Sequence, residues 1–78
     1  MIAEQLRELM TQHGRLPVDL STVPSGADLY ELGLTSLTTV NLLLAIEDHF
    51  DIEFPDELLA RRTFRSIDSL VSAVSSLI

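Results

Sequence analysis

From Ser36 the chain runs as far as Pro55 without a Gly or Pro, and Leu, Ala, Ile, Asn and Glu fill the positions, so the pattern predicts a helix of about four turns. At about 100° per residue, Thr39, Leu42, Leu43, Ile46 and Phe50 fall on one face, the i, i+3, i+4, i+7 stripe of a core-facing helix. Leu37, Val40 and Leu44 form a second apolar stripe that points away from the first, bordered by Asn41, Glu47 and Asp48. A lone domain gains little from it. Apolar surface rimmed by charge marks a place where a partner docks.

The same spacing rule finds helices at both ends. Ile2, Leu6, Leu9, Met10 and His13 recur at helical intervals, with Glu4, Arg7, Glu8 and Gln12 as a solvated face and Gly14 as a C-terminal stop. Ser66 caps a last helix that buries Ile67, Leu70, Val71, Val74 and Leu77 and turns Ser69, Ser72, Ser75 and Ser76 outward. Between the first two helices, Arg15 to Gly26 carries Pro17, Pro24, Gly26 and small polar residues and reads as a long loop, pinned by Leu16, Val18, Leu20 and Val23. Asp28-Leu29-Tyr30-Glu31 has the form of a capping box for one short turn that Gly33 ends, leaving Leu29, Leu32 and Leu34 as satellites of the core. After an extended Asp51-Ile52-Glu53-Phe54, Pro55, Asp56 and Glu57 open a short third helix that ends near Arg61 or Arg62. No strand pattern appears. The expected fold is all-α: one domain over residues 1–78, a small bundle of three main helices and one short helix with a long first loop.

At 78 residues the chain has room for one modest core and none for a large substrate cleft. Twelve acidic residues against five Arg, no Lys and a net charge of −7 exclude nucleic acid and anionic membranes as expected partners and favour basic protein surfaces. No apolar run approaches the roughly 20 residues that span a bilayer, and Glu4, Arg7 and Glu8 interrupt the start, so no signal peptide is read and a cytoplasmic monomer is expected. With no Cys, any thiol chemistry must use an imported thiol. His13 and His49 have no partner pattern for a metal site or a catalytic dyad, and Asp51-x-Glu53-x-x-Asp56 lacks the Gly and the terminal Glu of a calcium loop. No residue stands out as a general acid or base, so the chain is expected to be acted upon and not to be an enzyme.

Ser36, at the start of the central helix, is by composition alone a good N-cap. Its surroundings say more. Asp28-Leu29-Tyr30-Glu31-Leu32-Gly33-Leu34-Thr35-Ser36-Leu37, followed by Val40, Leu44, Ala45, Ile46, Glu47 and Phe50, then Phe54-Pro55-Asp56-Glu57 and Thr63-Phe64-Arg65-Ser66-Ile67, resembles an acyl carrier protein over nearly the whole chain. In that family a Gly-x-x-Ser-Leu motif opens the second helix, and its serine receives a 4'-phosphopantetheine arm from coenzyme A. The resemblance implies that Ser36 is the attachment site and that the arm carries a thioester. It further implies three kinds of partner: a phosphopantetheinyl transferase, a ligase that activates an acyl group or an amino acid, and downstream acyl-transfer enzymes. The partner surface expected from stripe and resemblance comprises Thr35, Leu37, Val40, Asn41, Leu44, Glu47, Asp48 and Asp56. The family's usual Asp before the serine is Thr35 here, and Thr38 and Asn41 replace acids of the next turns. Enzymes that grip a fatty-acid carrier through those acids are expected to bind this chain poorly. The sequence also resembles stand-alone carriers loaded by ligases akin to aminoacyl-tRNA synthetases, and discrete carriers of polyketide and nonribosomal peptide pathways. The alternative is an unmodified acidic adaptor, with Ser36 as a cap and Leu37, Val40 and Leu44 as a static interface.

Overall fold

The computed structural model describes residues 2–13 and 16–78. Helix α1 spans Ile2–His13, α2 Ser36–Phe50, α3 Arg61–Phe64 and α4 Ile67–Leu77, with a single 3₁₀ turn at Asp56–Leu58, and no strand occurs among the described residues. The predicted stop at Gly14 and the loop start at Arg15 lie outside the described residues.

Helix α1 packs on both α2 and α4, and α3 packs on α4. Leu6 and Met10 of α1, Leu42 and Ile46 of α2, and Ile67, Leu70 and Val74 of α4 are completely buried where these helices meet. The core stripe of α2 is therefore real but narrower than its periodicity implies. Leu43 and Phe50 only flank the buried cluster, and Thr39 is half-buried.

The segment before α2 is held more tightly than a loop of its composition requires. Leu20, Val23, Leu29 and Leu34 are buried within the core itself, so Leu29 and Leu34 are core residues and not satellites; Val18 is exposed and pins nothing. Arg7 does not belong to a solvated face. Its Nη1 donates to the carbonyls of Leu20 and, at 2.7 Å, Val23, tying α1 to the loop. The backbone N–H of Asp68 donates to the Ser25 carbonyl (2.9 Å) and that of Leu29 to the Arg65 carbonyl (2.7 Å), fastening the same segment to the start of α4. Asp28 accepts from the Tyr30 N–H at 2.9 Å and pairs with Arg65 at 3.4 Å, while Glu31 stays exposed, so the predicted capping box is a simple Asx turn. At Gly33 φ is 120°, and a Cβ there would meet Pro17 Cδ at 3.1 Å. Only glycine suits this corner.

Helix α2 ends at Asp51, whose left-handed backbone (φ 53°, ψ 52°) turns the chain; an Asp tolerates this region better than most residues. The Glu47 carbonyl accepts from the N–H groups of Asp51 and Ile52, and the Glu47 carboxylate accepts from Phe54 N–H at 2.8 Å. Phe54, thus placed, stacks on Phe64 with ring centroids 5.8 Å apart. The predicted short helix is split. Leu59 (φ −83°, ψ 61°) and extended Ala60 break it, so Asp56–Leu58 makes one 3₁₀ turn and a fresh α-turn starts at Arg61, where the expected helix was to end. This break lets Phe64 and Thr63 reach the core. Ser66 caps α4 as expected, but Ser69 completes its capping box and also donates to the Thr63 carbonyl at 2.9 Å; Ala73 is buried.

Candidate functional site

The start of α2 is built by three threonines. Thr35 is extended (φ −112°, ψ 171°) and is the N-cap; its hydroxyl accepts from the Thr38 N–H at 3.2 Å, and the Thr38 hydroxyl accepts from the Thr35 N–H at 2.9 Å. Thr39 adds a bond from its hydroxyl to the Thr35 carbonyl at 2.7 Å. A capping box ordinarily uses Glu or Gln at the third helical position; here Thr38 does the work without charge. The reading of Ser36 as the cap, on which the adaptor alternative rests, is thereby corrected. Thr35 takes that role, Ser36 is the first helical residue, and among the described residues no hydrogen bond engages its hydroxyl.

Ser36 is exposed, and the first turn contains no acid. The N–H groups of Ser36 and Leu37 have no intrahelical partner by position, so the positive end of the helix dipole faces the space in front of the serine. An anion is favoured there, and a phosphodiester on Ser36 fits both the free hydroxyl and the field around it. Ser36 also borders an open cleft of about 340 Å³ whose walls include Tyr30, Val40, Leu43, Arg61 and Phe64.

The second apolar stripe stands where the sequence put it. Leu37, Val40 and Leu44 are 72%, 50% and 59% exposed and follow Ser36 along one side of α2. Asn41 and Asp48 are exposed beside it. Two of the predicted contact residues have structural duties as well: Thr35 caps α2, and Glu47 holds the turn to Phe54. At 1.5 Å per residue Glu47 and Asp48 lie about 16 to 18 Å along the axis from Ser36, and Asp56 is farther along the chain on the 3₁₀ turn. Neutral stripe and acidic end are thus separate parts of one surface.

Two features escaped sequence reading. Arg61 stacks its guanidinium carbon 3.9 Å above the centre of the Tyr30 ring, next to Ser36's cleft. On the other flank, Leu44 and Ala45 share a crevice with His13, Asp48 and His49, whose ring lies edge-on to Phe50 at 4.9 Å. Among the described residues no group of His, Asp and Glu has the arrangement of a metal site, and no helix is long and apolar enough to cross a membrane.

Comparison with known proteins addresses the same region. The family described as "Phosphopantetheine attachment site" matches residues 4–74. The aminoacyl carrier protein of Agrobacterium fabrum is 46% identical over 69 residues, covering 88% of this chain and 83% of the relative. A solved complex of an engineered Bradyrhizobium japonicum glycine:[carrier protein] ligase with carrier protein from Agrobacterium tumefaciens and ATP superposes with a TM-score of 0.93 at 42% identity, covering 97% of this chain and 99% of the matched one. The Bradyrhizobium japonicum ligase with its cognate carrier protein and an analogue of glycyl adenylate gives a TM-score of 0.73 at 30% identity over 96% and 92% of the two chains. With its free serine at the head of α2 and a family match over nearly its full length, the chain belongs to the phosphopantetheine-binding acyl and aminoacyl carrier proteins.

Proposed function

We propose that Ser36 is the point at which this carrier takes its 4'-phosphopantetheine arm, and that its cargo is an activated amino acid delivered by a carrier-protein ligase. The observation that carries the first part is the division of labour between neighbours: Thr35 caps α2, which leaves the Ser36 hydroxyl free and exposed. A serine needed as a cap would see its accepting oxygen become a bridging phosphate-ester oxygen, a poorer acceptor. This one loses nothing, which weighs against the unmodified adaptor.

In the modification step, Ser36 Oγ gives its proton to a base of the transferase and forms a P–O bond to the phosphorus of coenzyme A that bears pantetheine, while the adenosine bisphosphate departs with the electrons of the broken P–O bond. The helix N–H groups and the absence of an acid in the first turn stabilise the negative charge left on the serine ester. When bound, the arm supplies the thiol that this cysteine-free chain lacks, and cargo is held on it as a thioester. The chain's own part is to orient the root of the arm and to present Leu37, Val40 and Leu44, with Asn41, Asp48 and Asp56, to a transferase, the ligase and later acyl-transfer enzymes. No side chain of its own is assigned an acid or base role, and cytoplasmic residence follows from the partners it needs.

An amino-acid cargo is supported by the aminoacyl carrier relative, by the ligase complexes and by the neutral first turn, where Thr35 and Thr38 replace acids. Incubation of the modified protein with such a ligase, ATP and labelled glycine should leave label on the protein that hydroxylamine removes and that Ser36→Ala never acquires. Loading by a fatty-acyl ligase with none by the amino-acid ligase would refute the cargo assignment.

A further inference from the structure

The described arginines are employed unequally. Arg7 donates to the carbonyls of Leu20 and Val23, Arg62 to the Glu57 carbonyl at 3.4 Å, and Arg65 pairs with Asp28. Arg61 differs. Among the described residues its guanidinium has no hydrogen-bond or ion-pair partner, only the face of Tyr30 at 3.9 Å. Contact with a ring face restrains the guanidinium without using its N–H groups, which stay free to donate. Arg61 opens α3, a helix of one turn, and among the described residues it makes no side-chain hydrogen bond within it.

Its surroundings supply a reason. Ser36 and Arg61 line the same cleft of about 340 Å³, and among the described residues Arg61 is the one charged member of its walls, which otherwise consist of Tyr30, Val40, Leu43, Phe64 and other uncharged side chains. In a chain of net charge −7 this sets a positive charge, with no carboxylate in the same walls, beside the serine. Ser36 and Arg61 are both exposed, so the attraction of that charge for an anion acts partly through solvent, and the apolar walls strengthen it modestly. A phosphodiester on Ser36 is an anion tethered at the rim.

We propose that Arg61, held against the Tyr30 ring, is the counter-charge for the phosphodiester on Ser36 and seats the root of the arm in the cleft between α2 and α3. Arg61 is thus a positioning residue, and the inference rests on Ser36 being the attachment site. The bond is charge-assisted and lies near the surface, so it weakens as salt rises. A transient seat is what a carrier needs, since the arm must leave to reach an enzyme.

The test uses wild type, Arg61→Gln and Tyr30→Leu, each treated with coenzyme A and a broad-specificity transferase and checked by intact mass. Amide spectra of each protein are then compared before and after modification, with ³¹P spectra of the modified forms. Wild type should show shifts at Ala60, Arg61 and Phe64 as well as at Ser36 and Leu37. In Arg61→Gln the shifts on α3 should fall severalfold, the ³¹P signal should move, and the changes at Ser36 and Leu37 should persist; Tyr30→Leu should give an intermediate result, and high salt should make wild type resemble Arg61→Gln. If the arm attaches and α3 is unmoved in wild type, or moves equally in Arg61→Gln, the role of Arg61 is overturned while the Ser36 assignment stands. A wild-type mass that does not rise overturns both.

Discussion

Helix α2 carries two apolar stripes, and truncation on each should give opposite results. Ile46 is completely buried at the junction of the helices, so Ile46→Ala loses its transfer free energy and leaves a cavity, about 2–5 kcal/mol. For a domain of this size each kcal/mol lowers Tm by about 4–8 °C, so the fall is at least about 8 °C and can unfold the protein. Leu44 is 59% exposed and keeps only about two fifths of the burial that stabilises a leucine by about 1.5–3 kcal/mol, which leaves roughly 1 kcal/mol. Alanine's better helix propensity offsets part of that. Val40→Ala, at 50% exposure, should behave like Leu44→Ala. Thermal melts followed by circular dichroism, paired with the rate of phosphopantetheinylation by mass, separate the two classes: Ile46→Ala should lose stability, whereas Val40→Ala and Leu44→Ala should melt near wild type and be modified or loaded more slowly. If Leu44→Ala melts as early as Ile46→Ala, and what remains folded is modified at the wild-type rate, the stripe is part of the core and the docking surface lies elsewhere.

Arg7→Ala should lower stability by about 1–3 kcal/mol in urea titrations, because two loop carbonyls lose a charged donor; Arg7→Lys should rescue little, since both bonds come from the terminal Nη1, one bond beyond the reach of a lysine ammonium. A loss within about 0.5 kcal/mol for Arg7→Ala would mean that Leu20 and Val23 hold the loop unaided. Charge reversal should divide the acidic end of α2: Asp48→Lys should slow partner reactions in a salt-dependent way at unchanged Tm, whereas Glu47→Lys should also lower Tm through the lost bond to Phe54. Equal melting of the two variants would contradict the structural role of Glu47.

The long breaker-free run after Ser36 made α2 and both its stripes legible, because periodicity over four turns overrides local ambiguity. Composition alone suggests Ser36 as the cap because Thr35 and Ser36 are both good caps, and only backbone geometry, with Thr38 answering Thr35, distinguishes them. Arg7 sits at a polar position of α1 and reads as solvated; its acceptors are carbonyls 13 and 16 residues away, which no helical pattern encodes. The break at Leu59 and Ala60 follows from burial of Phe64 against Phe54, a tertiary demand that outweighs good helix formers. Ser69 looked like one more exposed serine, although a Ser three residues after a cap is a legible reciprocal partner. Arg61 gave no signal in sequence, since its significance lies in the company of Tyr30 and Ser36 across the cleft.

Intact mass after incubation with coenzyme A and a broad-specificity phosphopantetheinyl transferase separates a chain in which Thr35 caps and Ser36 is modified from an unmodified adaptor. Wild type should gain the mass of one arm and Ser36→Ala none, with Ser36→Ala melting close to wild type because the cap is intact. Thr35→Ala should still gain the arm while losing about 1 kcal/mol of stability. Unchanged mass in wild type, or a full arm on Ser36→Ala, would contradict the assignment.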